Sequence, residues 1–231
     1  MQPMPKDSSG YRATLNALRD YFKQIELPVR SVQYDSWWYY KGPHSGIMLW
    51  EPVRLPASLR TIQLSMYRGS NPAHRLLANG VGQEPSTLGG DAVDGPPSGW
   101  YKFGLPTVTH SRFYEPANDY VTGKAPDLPP NASSWTWINA STATVSSSAE
   151  FFEHIFGRAQ QGMGMVTYEQ DFLTKSYESI PALQSELGLA KAWLSAMSHG
   201  AQATNVTLQY CMALPRHILQ SASFPRVTHA R

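Results

Sequence analysis

The chain has 231 residues, enough for one domain or two small ones. Its net charge is +2 and its basic residues are scattered, so no phosphate-tracking surface and no nucleic-acid partner is expected. A single cysteine, Cys211, excludes a disulfide framework within the chain, no Cys/His spacing suits a metal, and no apolar run is long enough to span a bilayer.

The first ten residues are polar and have no apolar core of the kind a leader needs, so no signal peptide is expected. Tyr11, Leu15, Leu18, Phe22 and Ile25 recur at three- and four-residue steps, which predicts an amphipathic helix stopped by Pro28. Val29 to Trp38 reads as a strand. Residues 62–102 are rich in Gly, Pro, Ser and Asn and show no period, which predicts a long irregular insertion, disordered or aberrant. Order resumes with a strand over Gly104–His110. Residues 114–148 read mostly as loop, with a brief extended piece at Trp135–Ile138.

Ser146, Ser147 and Ser148 precede a helix over 149–160, with Phe151, Phe152, Ile155, Phe156 and Ala159 on one stripe and Gly162 as its stop. A strand over 163–168 follows. One helix is predicted over 181–199, opening on Pro181 and closing at Gly200. Strands over 206–212 and 226–229 end the chain. Short apolar strands alternating with helices predict an α/β fold with a parallel sheet. No Gly-rich phosphate loop follows any strand, which speaks against a dinucleotide or P-loop fold, and no cofactor is expected.

Polar and aromatic residues gather where each strand ends, at Asp35-Ser36-Trp37, His110-Ser111-Arg112, Glu169-Gln170-Asp171 and Gln209-Tyr210-Cys211. Catalytic groups gather at the C-terminal rim of parallel sheets and barrels, and four such rims in succession favour a (β/α) barrel. A carboxylate beside aromatic faces is the chemistry of a sugar site, because rings cover the C–H face of a pyranose and the acid meets hydroxyls or developing positive charge. Asp35 is therefore a candidate ligand, with a turn cap or an arginine partner as the plainer alternative. Trp37 and Trp38 point to opposite sides of an extended chain, so one can line the site while the other packs. Glu169 and Asp171 share a face, Asp171 being either a candidate nucleophile or a cap for a turn over Phe172–Tyr177. His110 and Arg112 share a face as well, with His110 also readable as a satisfied core residue. Tyr210 and Arg216, in and after the next strand tip, complete the candidate contacts. Cys211 reads as a small buried apolar residue rather than a nucleophile.

The segments Gln33-Tyr34-Asp35-Ser36-Trp37-Trp38-Tyr39-Tyr40-Lys41-Gly42, Tyr168-Glu169-Gln170-Asp171-Phe172-Leu173 and Gln209-Tyr210-Cys211-Met212-Ala213-Leu214-Pro215-Arg216-His217 resemble a group of large eukaryotic and bacterial proteins. These in turn are similar to glycoside hydrolases of the α-galactosidase type, which are (β/α)8 barrels. The resemblance implies a single incomplete barrel domain over 1–231, with barrel elements at 11–60 and 103–231 corresponding to about strands two to six. It implies that Asp171 is the nucleophile of a retaining mechanism and that Asp35 binds sugar hydroxyls. The general acid/base would come from a later strand and has no counterpart identified here. The expected partner is a carbohydrate or glycoside, and the missing strands are expected from a longer protein.

Overall fold

A computed structural model of the chain describes residues 10–36, 38–51 and 104–231. The predicted insertion over 62–102 and the ring of Trp37 lie outside the described residues. Helix α1 covers Gly10–Gln24. The strands are β1 (Val32–Tyr34), β2 (Tyr40–Lys41), β3 (Ile47–Leu49), β4 (Thr107–Ser111), β5 (Trp137–Asn139), β6 (Thr144–Ser146), β7 (Met165–Gln170), β8 (Thr207–Tyr210) and β9 (Val227–Ala230). The other helices are α2 (Ala149–Met163), α3 (Leu173–Ser179), α4 (Pro181–Ser185), α5 (Leu189–Ala203) and α6 (Pro215–Ser221).

Five strands form one sheet in the order β1-β4-β7-β8-β9, and every neighbouring pair is parallel. The order never doubles back. Right-handed crossovers between successive neighbours therefore place the connecting helices on one face of the sheet. That face carries the core. Tyr168 of β7 packs on Phe156 and Phe152 of α2, with ring centroids 4.7 and 6.5 Å away. Phe151 of the same helix gathers Tyr114, Tyr120, Trp135 and Trp137 edge-on, all within 5.4 Å. Such edge-to-face pairs align the positive ring edge with the negative face, which fixes ring orientation beyond what burial alone does.

Several sequence expectations need correction. The strand expected over 29–38 pairs only over Val32–Tyr34; the chain then turns into an antiparallel hairpin, β2–β3. The loop expected over 114–148 contains a second antiparallel pair, β5–β6, and Tyr114 bridges to both Ile47 and Thr144. The two small pairs are thereby tied together. Helix α2 runs through Gly162 to Met163, and the left-handed Gly164 at φ 72° ends it instead. Ser148 stands at its N-cap position, but its Oγ accepts the Thr136 N–H at 2.6 Å. The helix expected over 181–199 is broken at Gly188, which sits at φ 85°. Leu187, inside the break, is fully exposed.

Helices α2 and α5 touch closely at Gly200, where an added Cβ would stand 2.5 Å from the Cβ of Phe152 and 3.0 Å from the Glu153 nitrogen. Gly157 of α2 has open space around it. No helix among the described residues is long and apolar enough to cross a membrane. Gly200→Ala is expected to lower stability by about 1–3 kcal/mol through overpacking. Gly157→Ala should raise it by up to about 1 kcal/mol through helix propensity. Urea unfolding midpoints check both, and equal shifts at the two sites would contradict the close contact.

Candidate active site at the strand tips

The pairing register decides which side chains meet. His110 lies opposite Glu169, and Glu169 opposite Gln209. The ladder then continues past the strands. The Asp171 N–H donates to Ser111 O at 2.8 Å, Cys211 N–H to Gln170 O at 3.0 Å and Arg231 N–H to Tyr210 O at 3.1 Å. Arg112, Asp171, Cys211 and Arg231 thus form a second row just above His110, Glu169 and Gln209. Alternation along a strand puts both rows on the face opposite the helices.

Asp171 is the centre of the upper row. Its Oδ2 is 3.1 Å from Nε2 of the buried His110, and its Oδ1 accepts the N–H of Phe172 at 2.7 Å. Burial pushes its pKa up, but the hydrogen bonds from His110, Phe172 and Cys211 outweigh that, and the carboxyl titrates below its ordinary range. It is therefore a carboxylate at neutral pH. Asp171 does not cap the following helix: that position belongs to Phe172, held at φ 55°. The positive φ folds the chain back sharply after Asp171; Met212, one residue past Cys211, does the same at φ 51°.

On its other side His110 Nδ1 is 2.9 Å from the Tyr39 hydroxyl, and the two rings stack at 16°. Arg112 Nε donates to the same hydroxyl at 3.2 Å, Nη1 to Ser45 O at 3.3 Å, and the guanidinium lies 4.3 Å from the Phe172 ring centre. A continuous chain of contacts, Arg112–Tyr39–His110–Asp171, so links three strand ends. Burial raises the Tyr39 pKa, which keeps its hydroxyl protonated. Lys41 Nζ donates to Ser36 Oγ at 3.1 Å and stands 5.7 Å from the Tyr39 ring centre. Burial and the nearby Arg112 lower its pKa to about 8, against a smaller opposing pull from Asp35.

Glu169 is nearly inaccessible, at 1% exposure, yet fully partnered. Gln33 donates to one oxygen; Gln209 at 2.9 Å and Arg231 at 3.3 Å donate to the other. Gln33 belongs to β1 and Glu169 to β7, so this contact passes over the intervening β4. Two strand spacings of about 4.8 Å each separate them, which side chains can bridge when the sheet curls toward this face.

The hairpin that supplies Tyr39 and Lys41 is held by Glu115. Its Oε1 accepts the N–H groups of His44 and Gly46 at 2.8 and 2.9 Å, and its Oε2 is 2.8 Å from His44 Nδ1. Gly42 is required here because an added Cβ would lie 2.4 Å from the Glu115 side chain.

Of the residues singled out from sequence, Asp171, His110, Arg112 and Glu169 come together at this rim. Asp35 lies at the same end, exposed, accepting the Ser36 N–H. Trp38 does not offer a platform: it is buried under Trp50, 4.8 Å between ring centres, and against Tyr39. Tyr210 alternates to the helix-facing side and is fully buried. Arg216 is exposed on α6, stacked 4.3 Å over Tyr177. Sequence reasoning assigned no site role to Tyr39, Lys41, Phe172, Gln33, Gln209 or Arg231. Equal spacing of polar residues from the strand ends was a usable signal for Gln33, Glu169 and Gln209. Cys211 is half-exposed rather than packed away. Its thiol pKa is raised by burial and by Asp171, which leaves it protonated and poorly nucleophilic. Among the described residues no group of three or more His, Cys, Asp or Glu side chains is placed to hold a metal ion.

No known protein-family model matches the chain, and no curated protein matches it.

Two titrations follow from these environments. A carboxyl with a depressed folded pKa contributes stability above about pH 4, and that contribution is lost as the pH falls through the folded value. The stability difference between the wild type and Asp171→Asn should accordingly shrink from pH 5 toward about pH 2; urea midpoints across that range check it. An amine with a lowered folded pKa gives the same sign of slope, as a penalty on its charged form that is relieved once it deprotonates. Between about pH 8 and the ordinary lysine value the unfolded chain binds more protons, so stability rises with pH. Lys41→Met should flatten that rise, and an unchanged slope would contradict the half-buried placement.

Proposed function

We propose that the chain is part of a (β/α) barrel whose strand tips bind a carbohydrate, with Asp171 in the position of a glycosyl nucleophile. The observation that carries the reading is an ionised, hydrogen-bonded carboxylate on a strand tip, flanked by Phe172 and by the Tyr39–His110 stack. Three features of the sheet support a barrel. The strand order is sequential and parallel. The face opposite the described helices carries a row of polar groups, with Thr167 and Thr207 bonded at 2.7 Å below Gln33, Glu169 and Gln209. Gln33 and Glu169 come from alternate strands, as the inward layers of a barrel do.

A retaining reaction needs the carboxylate to attack the anomeric carbon while a second acid protonates the departing oxygen. His110 holds Asp171 ionised and oriented through one ring nitrogen, while Tyr39 occupies the other. Glu169 does not serve as the second acid, because both its oxygens already accept hydrogen bonds from amides and Arg231. That observation favours a second reading: a barrel that binds sugar without turning it over unless a further strand supplies an acid.

The two readings separate with a substrate that needs no acid. A fluoroglycoside carrying a dinitrophenolate leaving group departs without protonation, and a competent nucleophile is trapped as a glycosyl ester. Mass spectrometry should find the adduct on Asp171 and none in Asp171→Asn. Simple-sugar binding by calorimetry without an adduct would leave the binding-only barrel. Neither binding nor adduct would discard the carbohydrate reading.

A further inference from the structure

Two cations at the rim form no ion pair among the described residues, and the exposed Asp35 exerts only the smallest of the three influences on Lys41. Lys41 and Arg112 flank one ring: the ammonium 5.7 Å from the Tyr39 centre and the guanidinium nitrogen 3.2 Å from its hydroxyl. Among the described residues neither lies within 4 Å of a carboxylate, whereas Arg158 is paired with Glu51 and Asp127, and Arg231 with Glu169. Asp171 does not use them either, since it takes its compensation from His110, the Phe172 amide and Cys211. Their placement is nonetheless built. Arg112 is fixed by Tyr39, by the Ser45 carbonyl and by the face of Phe172. Lys41 is fixed by Ser36, within a hairpin that Glu115 holds in place. Bringing two like charges together in a half-buried position costs free energy, and the lowered pKa of Lys41 registers that cost. Among the described residues Arg112 commits only Nε and Nη1, and the Lys41 ammonium makes one hydrogen bond, to Ser36.

Resting on the carbohydrate reading above, we infer that the site selects an acidic sugar, with Lys41 and Arg112 receiving a carboxylate or sulfate group of the pyranose. A guanidinium and an ammonium are the two side chains suited to such oxyanions, the first as a planar fork and the second as a point charge. Phe172, backed by the guanidinium, would cover the apolar face of the same ring. Lys41 and Arg112 are then specificity residues, while Asp171 keeps its own role.

Calorimetric titration of the full chain tests the inference. The probes are methyl α-glycosides of galactose, glucose and mannose, each as the neutral sugar, the uronic acid and the 6-sulfate, with a methyl sialoside added. At least one acidic sugar should bind about tenfold or more tightly than its neutral counterpart, the scale of one well-placed charge contact. Uronate and sulfate arms report which oxyanion is preferred. Lys41→Met and Arg112→Met should each bring the ratio of acidic-sugar to neutral-sugar affinity, measured on the same variant, close to one, and Lys41→Arg should keep that ratio near the wild-type value. Unfolding midpoints verify that the variants fold, and the charge-conserving variant controls for loss of packing. Neutral and acidic sugars binding alike would overturn the anion inference and leave the carbohydrate reading standing. A preference that persists in both methionine variants would overturn it too, by locating the selection elsewhere. No binding by any probe would remove both.

Discussion

The Asp171 N–H donates to the Ser111 carbonyl at 2.8 Å, and that bond carries the β4–β7 ladder one residue beyond its strands. Everything at the rim depends on this register. A slip of one residue would move Asp171 to the helix side and send His110 with it to the wrong partner, because side chains alternate across a sheet. The register is itself pinned from the opposite face. Tyr168 packs under Phe152, Phe156 and Trp50, so the sheet cannot slide without breaking an aromatic core. Trp50 adds a second restraint by donating its indole N–H to the His110 carbonyl at 3.0 Å.

The two faces of the sheet obey different physics. On the helix side, burial of rings and aliphatic groups provides the driving force. On the other side, the buried groups are polar and each needs a partner. Glu169 meets that demand with donors from β1, from β8 and from Arg231 just past β9, and the partly buried Thr167 meets it with Thr207. A polar face that satisfies itself by contacts across an intervening strand has to curve. The same contacts gather side chains of β1, β4, β7 and β8 on one face of the sheet.

The hairpin after β1 adds its own side chains to this rim. It lays Tyr39 against His110 and raises Lys41 beside Arg112. Its anchor is local and electrostatic: the Glu115 carboxylate sits inside the turn, receiving two backbone amides and a histidine. Glu51 plays a comparable part further on, paired with Arg158 of α2 close to Asp127. Both are buried carboxylates with full sets of donors, the condition under which buried charge is tolerated.

Periodicity and strand-end chemistry, both written in the sequence, determined the parallel α/β layout and the placement of His110, Arg112, Glu169 and Asp171 on one face of the strand ends. These are properties of nearest neighbours along one strand, where a two-residue repeat fixes the face. Helix boundaries at Gly164 and Gly188 depended on backbone angles that apolar spacing does not report. The partnerships came from tertiary structure alone. Whether Asp171 caps a helix or meets His110, whether Trp38 lines a site or fills the core, and whether Tyr210 faces the rim or the helices are decided by pairing between segments tens of residues apart. Tyr39 and Lys41 acquire their meaning in the same way, because a turn built around Glu115, more than 70 residues downstream, carries them over β4. A single strand specifies which side its residues point to; only the neighbouring strands, in register, specify what they point at.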